Sequence, residues 1–336
     1  MKYKNIYVVC PYGLVTGGPD ALHQLVYYLN ENAIKSHLVY CDINKKNKII
    51  PDPYKCYISE YLTMSEIIDS NENAIIVPET LTNLLDGISN AQKYIWWLSV
   101  QNDTNATPTK KIKTIIKKIF SIKNIKKIYK IRTLKNYIMH KKYQFSDKQI
   151  IHLCASYYAF FYVKNHTENN VHLLIEPISK FFLENSFDSK AKRNICLYNP
   201  KKNIRFTKKI LQKAKHIKFI PLKGLSQHQL IDLYSKSKVY IDFGFFPGAE
   251  RIPKEAVRCG CCIITGKYGA SAFYNDVPIP DQYKIEADKK NIDSIIDMIE
   301  YCFNNYFSVR KEFDTYREVV EKLESNFISD IIKLFG

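Results

Sequence analysis

The sequence predicts a doubly wound α/β fold built as two domains. Short apolar segments of the buried-strand type alternate with helical segments along most of the chain, the order that produces parallel sheets covered by helices. A length of 336 residues with 46% hydrophobic content can bury a large core and favours two domains over one. A polar stretch without periodicity, residues 184–193, is interpreted as the linker between them.

The first half of the chain contains predicted strands connected mostly by helices. The strands are expected at residues 6–10, 37–41, 74–78, 94–100, 149–155 and 171–175. A loop with Gly17 and Gly18 follows the first strand, and helices are expected at residues 20–32, 63–69, 81–90 and 157–164. These elements form a predicted N-terminal domain, residues 1–183, with an insertion at residues 104–147.

The second half repeats the scheme as a predicted C-terminal domain, residues 194–308. Its strands are expected at residues 194–198, 217–221, 238–243 and 261–265, and its helices at residues 204–213 and 227–236. A further helix is expected to open at Pro253, because proline is favoured at the first helical position. The last segment, residues 309–336, is helical and long enough to cross back to the first domain.

Composition excludes some classes of protein. No uninterrupted apolar run reaches the length needed to span a bilayer. The N-terminal apolar stretch is too short for a secretion signal and is interpreted as the first buried strand. The nine cysteines are odd in number and scattered, which favours reduced, buried cysteines in a cytoplasmic protein.

The positive charge of the chain is concentrated in one segment. Net charge is +17, and residues 108–142 contain thirteen Lys and Arg residues and no acid. Ile112, Ile115, Ile116 and Ile119 recur there at helical spacing. A basic amphipathic helix of this kind is suited to an anionic membrane surface. Nucleic-acid binding and a merely solvated insertion are the competing interpretations, and nucleic acid is not the expected partner because no known binding fold surrounds the segment.

The most informative segment lies around the last predicted strands. Strand 239–243 is followed by a Gly/Pro loop that ends at Gly248, and then by Glu250 and Arg251 at the start of a helix that carries Glu255. A helix N-terminus at the carboxyl end of a parallel strand is suited to bind a phosphate. Cations for a diphosphate and carboxylates for ribose or sugar hydroxyls predict a site for a sugar nucleotide.

This segment resembles the donor-site signature of GT-B glycosyltransferases, in particular the retaining family called glycosyltransferase group 1 or family 4-like. In that family a Glu-rich loop leads into a helix with Glu-Ala, then Cys-Gly and an apolar strand; here IPKEAVRCGCCIIT occupies those positions. Glu255 matches the family carboxylate that holds the ribose. Pro247 stands where the family usually has a second Glu, and Glu250 is the candidate substitute.

The resemblance extends to other parts of the chain. Lys202, after the strand at 194–198, matches a Lys that grips the pyrophosphate, while the family's partner Arg is absent and Arg205 or Arg251 would supply the second cation. Gly17 and Gly18 match the start of the acceptor-side domain and would let the backbone approach a diphosphate or sugar. The implied fold is two Rossmann-like domains facing across a cleft, with a C-terminal helix that returns to the first domain.

The activity implied by the resemblance is transfer of a sugar from a nucleotide-sugar donor to a saccharide or lipid-linked acceptor. Retention, bacterial surface polysaccharide or lipooligosaccharide synthesis and the cytoplasmic face of the membrane are further expectations. No metal and no cofactor beyond the donor substrate are expected, since no Asp-x-Asp pair lies in a suitable loop. A nucleotide-sugar epimerase of the same fold, and a non-catalytic scaffold that binds membrane or nucleic acid, remain alternatives.

Catalytic residues are the least determined feature of the sequence. An inverting enzyme needs a general base near the acceptor hydroxyl. Glu79 and Asp103, at strand ends of the first domain, are the candidates, with His23 a weaker third. Of Trp96 and Trp97, one is expected in the core; the other could stack on a sugar ring, but core packing is favoured for it as well.

Overall fold

A computed structural model describes residues 2–42, 49–100, 143, 145–184 and 191–336. The chain forms two compact units, which are considered separately. Unit 1 comprises Met1–Ala155, Ala159–Leu174 and Asp330–Gly336, and unit 2 comprises Ser156–Tyr158 and Ile175–Ser329. The basic segment at residues 108–142 and the candidate base Asp103 lie outside the described residues.

Unit 1 is built on a parallel sheet of seven strands in the order β3-β2-β1-β4-β5-β6-β7. The central strands are buried on both faces, which explains why they are near-continuous apolar runs in the sequence. The strands are β1 Asn5–Cys10, β2 Ser36–Tyr40, β3 Leu62–Thr63, β4 Asn73–Pro78, β5 Gln92–Trp97, β6 Ile151–Cys154 and β7 Val171–Leu173.

Two α-helices accompany this sheet, α1 Gly17–Glu31 and α2 Tyr157–Lys164, the latter with the bounds that the sequence predicts. The predicted helices at residues 63–69 and 81–90 are wrong. Residues 64–66 form only a short 3-10 turn, closed by a capping box between Thr63 and Glu66, and the second region is a 3-10 helix, Glu79–Gly87, kinked at Leu81. The Asp69 carboxylate accepts hydrogen bonds from the backbone N–H groups of the loop at residues 89–91.

Both tryptophans belong to the core of unit 1, which agrees with the core packing favoured from the sequence and leaves neither ring to stack on a sugar. Trp96 and Trp97 are 0% and 1% exposed. The Trp96 indole N–H donates to the carbonyl of Leu174 at 3.0 Å, and that of Trp97 donates to Nδ1 of His152 at 3.0 Å. Each buried indole therefore has an internal acceptor and no face free for a ligand.

Unit 2 is built on a parallel sheet of four strands in the order β11-β10-β8-β9. Its strands are β8 Arg193–Tyr198, β9 Lys218–Pro221, β10 Ser237–Asp242 and β11 Cys262–Thr265. Its helices are α3 Lys180–Glu184, α4 Ile204–Lys213, α5 Gln227–Lys236, α6 Arg251–Arg258, α7 Ile292–Asn304 and α8 Tyr306–Val309.

The C-terminal segment is not one continuous helix as predicted. A 3-10 turn, Arg310–Phe313, separates α8 from the long helix α9, Asp314–Phe335. The residues of α9 from Asp330 onwards belong to unit 1, where the Phe335 ring packs against Tyr94 with 5.3 Å between the ring centroids. No helix within the described residues has both the length and the apolar character needed to cross a bilayer.

Residues 184–193 are interpreted from the sequence as a polar linker, and residues 185–190 lie outside the described part of the chain. Within this stretch, Lys192 is a buried residue of unit 2 and not a solvated linker residue. Its side chain is buried, and its ammonium donates to the carbonyl oxygens of Tyr234, Ser237 and Cys259 at 2.6–2.8 Å. Burial lowers the pKa of this amine. The three carbonyls stabilise the charged form, and the contact ties β8 to the ends of α5 and α6.

Candidate functional site

The candidate site lies at the carboxyl ends of β8 and β10, which are adjacent in the sheet of unit 2. From β8 the chain passes through α4 to β9 on one side, and then through α5 to β10 on the other side. The gap between β8 and β10 is therefore the topological switch point, where open α/β sheets bind ligands. Lys202 follows β8, and Glu250 and Arg251 follow β10.

Lys202 and Glu250 form an ion pair across this switch point. The Lys202 Nζ atom lies 2.5 Å from Glu250 Oε1, and both side chains are about one-fifth exposed (19% and 21%). The same ammonium donates to the carbonyl of Phe245 at 3.1 Å and lies 4.7 Å from the ring centroid of Phe246. A Cβ at Gly244 would overlap the Lys202 stem, so this close approach requires glycine.

Asp242, at the end of β10, is a buried carboxylate that the sequence interpretation missed. It accepts hydrogen bonds from the Tyr240 hydroxyl at 2.9 Å and from the Gly244 backbone N–H at 2.9 Å. Burial raises the pKa of Asp242 and of Glu250, and Lys202 opposes the rise in both cases. The positive charge of Lys202 thus favours the charged forms of both acidic groups.

Helix α6 begins earlier than predicted. Glu250 is its N-cap and Arg251 its first residue, so Pro253 is the third helical residue and does not open the helix. Proline is tolerated there because the N–H groups of the first turn have no partner inside the helix. Arg251 consequently lies beside Glu255, one turn further along, with 3.6 Å between Nη2 and Oε1.

Tyr234 of α5 orients Glu255. The Tyr234 hydroxyl donates to Glu255 Oε2 at 3.3 Å, and both side chains are buried. Burial is the main cause of the raised pKa of this phenol, and the Glu255 charge adds to it. The tyrosine therefore stays protonated and remains a donor to the carboxylate.

Lys254, between Arg251 and Glu255 in sequence, is also buried, with 4% exposure. Within the described residues its ammonium has no hydrogen-bond acceptor. Burial lowers the pKa of Lys254, and the carboxylates of Glu176 and Asp276 oppose that change most. Asp276 is itself held by the backbone N–H groups of Tyr157 and Tyr158, and burial raises its pKa to about 6.

The other sequence-predicted residues do not join this cluster. Arg205 is exposed on α4, and Gly248 is buried in the loop before Glu250. Gly17 and Gly18 are not in a loop as predicted but are the first two residues of α1, because Thr16 already serves as its N-cap. Glu79, in unit 1, accepts the backbone N–H of Leu98 at 3.1 Å.

His23 has a structural environment in unit 1. Its ring is fully buried, with Nδ1 2.6 Å from the carbonyl of Pro19 and Nε2 2.8 Å from the Tyr40 hydroxyl. Burial lowers its pKa to about 4. Its nitrogens are occupied within the core, which removes the residue as a candidate base.

No protein-family model and no curated protein matches the chain. Solved structures do resemble it. Sucrose-phosphate synthase from Thermosynechococcus elongatus has a TM-score of 0.61 at 12% identity and covers 98% of both chains. A glycosyltransferase from Rickettsia africae has a TM-score of 0.57 at 14% identity, covering 99% of this chain and 98% of its own.

An alpha-glucosyltransferase in complex with UDP has a TM-score of 0.57 at 11% identity, covering 98% of this chain and 99% of its own. The chain has the GT-B fold. At such low identities the likeness establishes the fold, and the fold class predicted from the sequence is confirmed. The sequence of this GT-B chain predicts Lys202, Glu250, Arg251 and Glu255 as site residues. It does not predict the buried side chains around them.

Tyr234, Asp242 and Lys254 could have been noticed only in part. Lys254 stands inside the quoted motif, and Asp242 ends an apolar strand, where a carboxylate is a sequence signal for a ligand-facing position. Tyr234 has no such signal, since it is one of 25 tyrosines. Among the described residues, no group of three or more His, Cys, Asp and Glu side chains is arranged to hold a metal ion.

Proposed function

We propose that the protein is a glycosyltransferase that moves a sugar from a nucleotide-sugar donor to a saccharide or lipid-linked acceptor. The observation that carries the proposal is the cluster of Lys202, Glu250, Arg251 and Glu255 at the switch point of unit 2. On a GT-B fold this combination of cations, carboxylates and a helix N-terminus suits a nucleoside diphosphate better than any other ligand class.

Each residue of the cluster has a proposed role. Lys202 and Arg251, with the first turn of α6, bind the diphosphate and stabilise the negative charge that develops on the departing nucleotide. Glu255, oriented by Tyr234, accepts hydrogen bonds from ribose hydroxyls. Arg205 is an additional cation for the diphosphate, and Gly248 allows the loop before α6 to approach the donor. Transfer is proposed to proceed with retention and without a metal ion.

Residues of unit 1 are proposed to serve the acceptor side. Gly17 and Gly18 open α1, the helix that follows β1, and Glu79 follows β4; β1 and β4 flank the switch point of that sheet. If transfer inverts the anomeric centre, Glu79 and Asp103 are the candidate bases. In this proposal unit 1 is the acceptor-side domain and unit 2 the donor domain. The sequence-predicted bounds, 1–183, 194–308 and 309–336, shift accordingly, because Ile175–Ser329 belongs to unit 2 and only Asp330–Gly336 returns to unit 1.

A nucleotide panel tests the donor site. Among UDP, GDP, dTDP, ADP and CMP, one nucleotide at a hundredfold excess over its dissociation constant should stabilise the protein by about 3 kcal/mol, seen as a raised melting temperature. Glu255→Gln should lose part of that shift, because a neutral amide oxygen accepts hydrogen bonds from the ribose hydroxyls more weakly than a carboxylate. Glu286→Gln, at an exposed position of unit 2, removes the same charge and should retain it.

Two outcomes of the panel count against the donor site. The first is that no nucleotide stabilises the wild-type protein. The second is that Glu255→Gln keeps the full shift. Sugar transfer to an added acceptor then separates a transferase from an epimerase, which converts the donor alone, and from a scaffold, which does neither.

We further propose a role in bacterial surface polysaccharide or lipooligosaccharide synthesis, with the protein peripheral on the cytoplasmic face of the plasma membrane. The support is the charge of residues 108–142, which hold thirteen of the chain's 50 Lys and Arg residues. The protein should sediment with vesicles containing phosphatidylglycerol but not with pure phosphatidylcholine vesicles, and less at high salt. Equal sedimentation with both would contradict the proposal, as would capture by duplex nucleic acid alone.

A further inference from the structure

Three groups of the chain surround the Lys202 ammonium, and its side chain is 19% exposed. A lysine ammonium has three N–H donors. Glu250 Oε1 lies at 2.5 Å, the carbonyl of Phe245 at 3.1 Å and the ring of Phe246 at 4.7 Å from its centroid. A phosphate oxygen that approaches this cation therefore competes with these partners, and among them Glu250 is the one that carries a negative charge.

Glu250 is the partner that can leave. The carbonyl of Phe245 and the ring of Phe246 are fixed by the loop backbone, where the Phe246 N–H donates to the carbonyl of Tyr268 and the Phe246 carbonyl accepts the N–H of Ala270. Glu250, in contrast, is the N-cap of α6 and makes no side-chain capping hydrogen bond. Within the described residues, rotation of its side chain breaks the contact with Lys202 and no side-chain hydrogen bond to the helix.

The lysine, for its part, is held in place. Its stem lies against Gly244, where even one methyl group would collide with it. When an anion replaces Glu250 as the partner of Lys202, the group that moves is therefore the side chain of Glu250. The Lys202 ammonium keeps its position when the anion binds to it.

We propose that Glu250 is an intramolecular competitor of the donor's diphosphate for Lys202. The inference rests on the proposed function in one respect, namely that a diphosphate is the ligand of Lys202. It assigns Glu250 a role opposite to that expected from the sequence, where Glu250 substitutes for a donor-binding carboxylate. Competition weakens the hold on any diphosphate, including the nucleotide product, whose release often limits turnover.

A double-mutant cycle with inorganic pyrophosphate tests the competition without any assumption about base or sugar. Binding is measured by calorimetry on the full chain for the wild type, Glu250→Gln, Lys202→Met and the double variant. Glu250→Gln should bind pyrophosphate roughly tenfold more tightly, the scale of one hydrogen bond to a charged group. In the Lys202→Met background the same substitution should not increase the affinity for pyrophosphate, because the cation for which Glu250 and pyrophosphate compete is absent.

The cycle separates competition from a general effect of charge. An equal gain in both backgrounds would show that removing a negative charge acts at a distance, and it would overturn the proposal. Unchanged or weaker binding to Glu250→Gln would do the same, as would the absence of pyrophosphate binding to all four proteins. Glu250→Ser, which places a favourable N-cap residue at the same position, gives a second uncharged variant if the glutamine variant folds poorly.

The outcome is independent of transfer activity. If the protein transfers no sugar but the cycle gives the expected result, the competition is supported and the proposed function is wrong. If the protein transfers sugar but Lys202 and Glu250 show no coupling, the proposed function is supported and the competition is wrong.

Discussion

Lys202→Met should lower kcat for sugar transfer by about 10²–10³, the loss typical of removing one group that stabilises charge in a transition state. Methionine keeps the unbranched stem that packs against Gly244, so the substitution removes the ammonium and little else. The departing nucleotide gains negative charge as the glycosidic bond breaks, and the switch point would then lack the cation that follows β8. Steady-state kinetics with the sugar form of the nucleotide selected by the panel measure the loss.

Lys201→Met is the matched control for this substitution. Lys201 is the neighbouring lysine, but it is exposed, and only its backbone N–H is engaged, by the side chain of Asn199. Its replacement should leave kcat within about twofold of the wild type, the scale of an exposed substitution. An equal loss in both variants would mean that net charge, and not the position of Lys202, supports transfer. No loss in Lys202→Met would remove the lysine from the mechanism.

The elements predicted best from the sequence are those whose signals are local. Helices α2, α4 and α5 have the bounds that the sequence predicts. The start of α5 shows why: Ser226 and Gln229 form a capping box, a pattern contained within four residues. The buried strands are similarly marked by apolar runs that need no partner to be recognised.

The errors concern residues whose partners are distant in sequence. Asp69 binds backbone groups of residues 89–91, about twenty positions further on, and no local pattern indicates that contact. Lys192 is part of a polar stretch, yet its acceptors are 42 to 67 residues away and make it a buried structural group. The pairing of Lys202 with Glu250 is of the same kind. The sequence supplies both residues but not their contact, and their role in donor binding stays a prediction.

Two buried histidines make unit 1 sensitive to acid. The Pro19 carbonyl can only accept a hydrogen bond, so His23 is protonated at Nδ1 and its Nε2 accepts from the Tyr40 hydroxyl. The Trp97 indole can only donate, so Nδ1 of His152 is unprotonated. A second proton on His152 would lie on Nδ1 and break the hydrogen bond from Trp97, and one on His23 would lie on Nε2, where the Tyr40 hydroxyl could no longer donate to it. Burial accordingly lowers the pKa of each histidine to about 4.

The free energy of unfolding should therefore fall as the pH is lowered from 7 to 4. Below pH 6.5 the unfolded chain binds protons at both positions and the native state does not, which costs about 3 kcal/mol per histidine by pH 4. Asp276, in unit 2, has the opposite sign, because its raised pKa makes the native state bind a proton first as the pH falls through about 6. Tryptophan fluorescence follows the histidine effect where it arises, since Trp96 and Trp97 are the chain's two tryptophans and both belong to unit 1.

Denaturant titrations followed by tryptophan fluorescence at several pH values between 4.5 and 7 measure this dependence. In His23→Gln, the slope of the free energy of unfolding against pH should decrease by the contribution of about one proton. The variant should also be less stable at every pH, because two buried hydrogen bonds are changed. His228→Gln, at an exposed position of unit 2, should keep the wild-type slope. If His23→Gln also keeps that slope, His23 is not neutral in the native state, and the core of unit 1 must accommodate a charged imidazole beside Tyr40 and Tyr54.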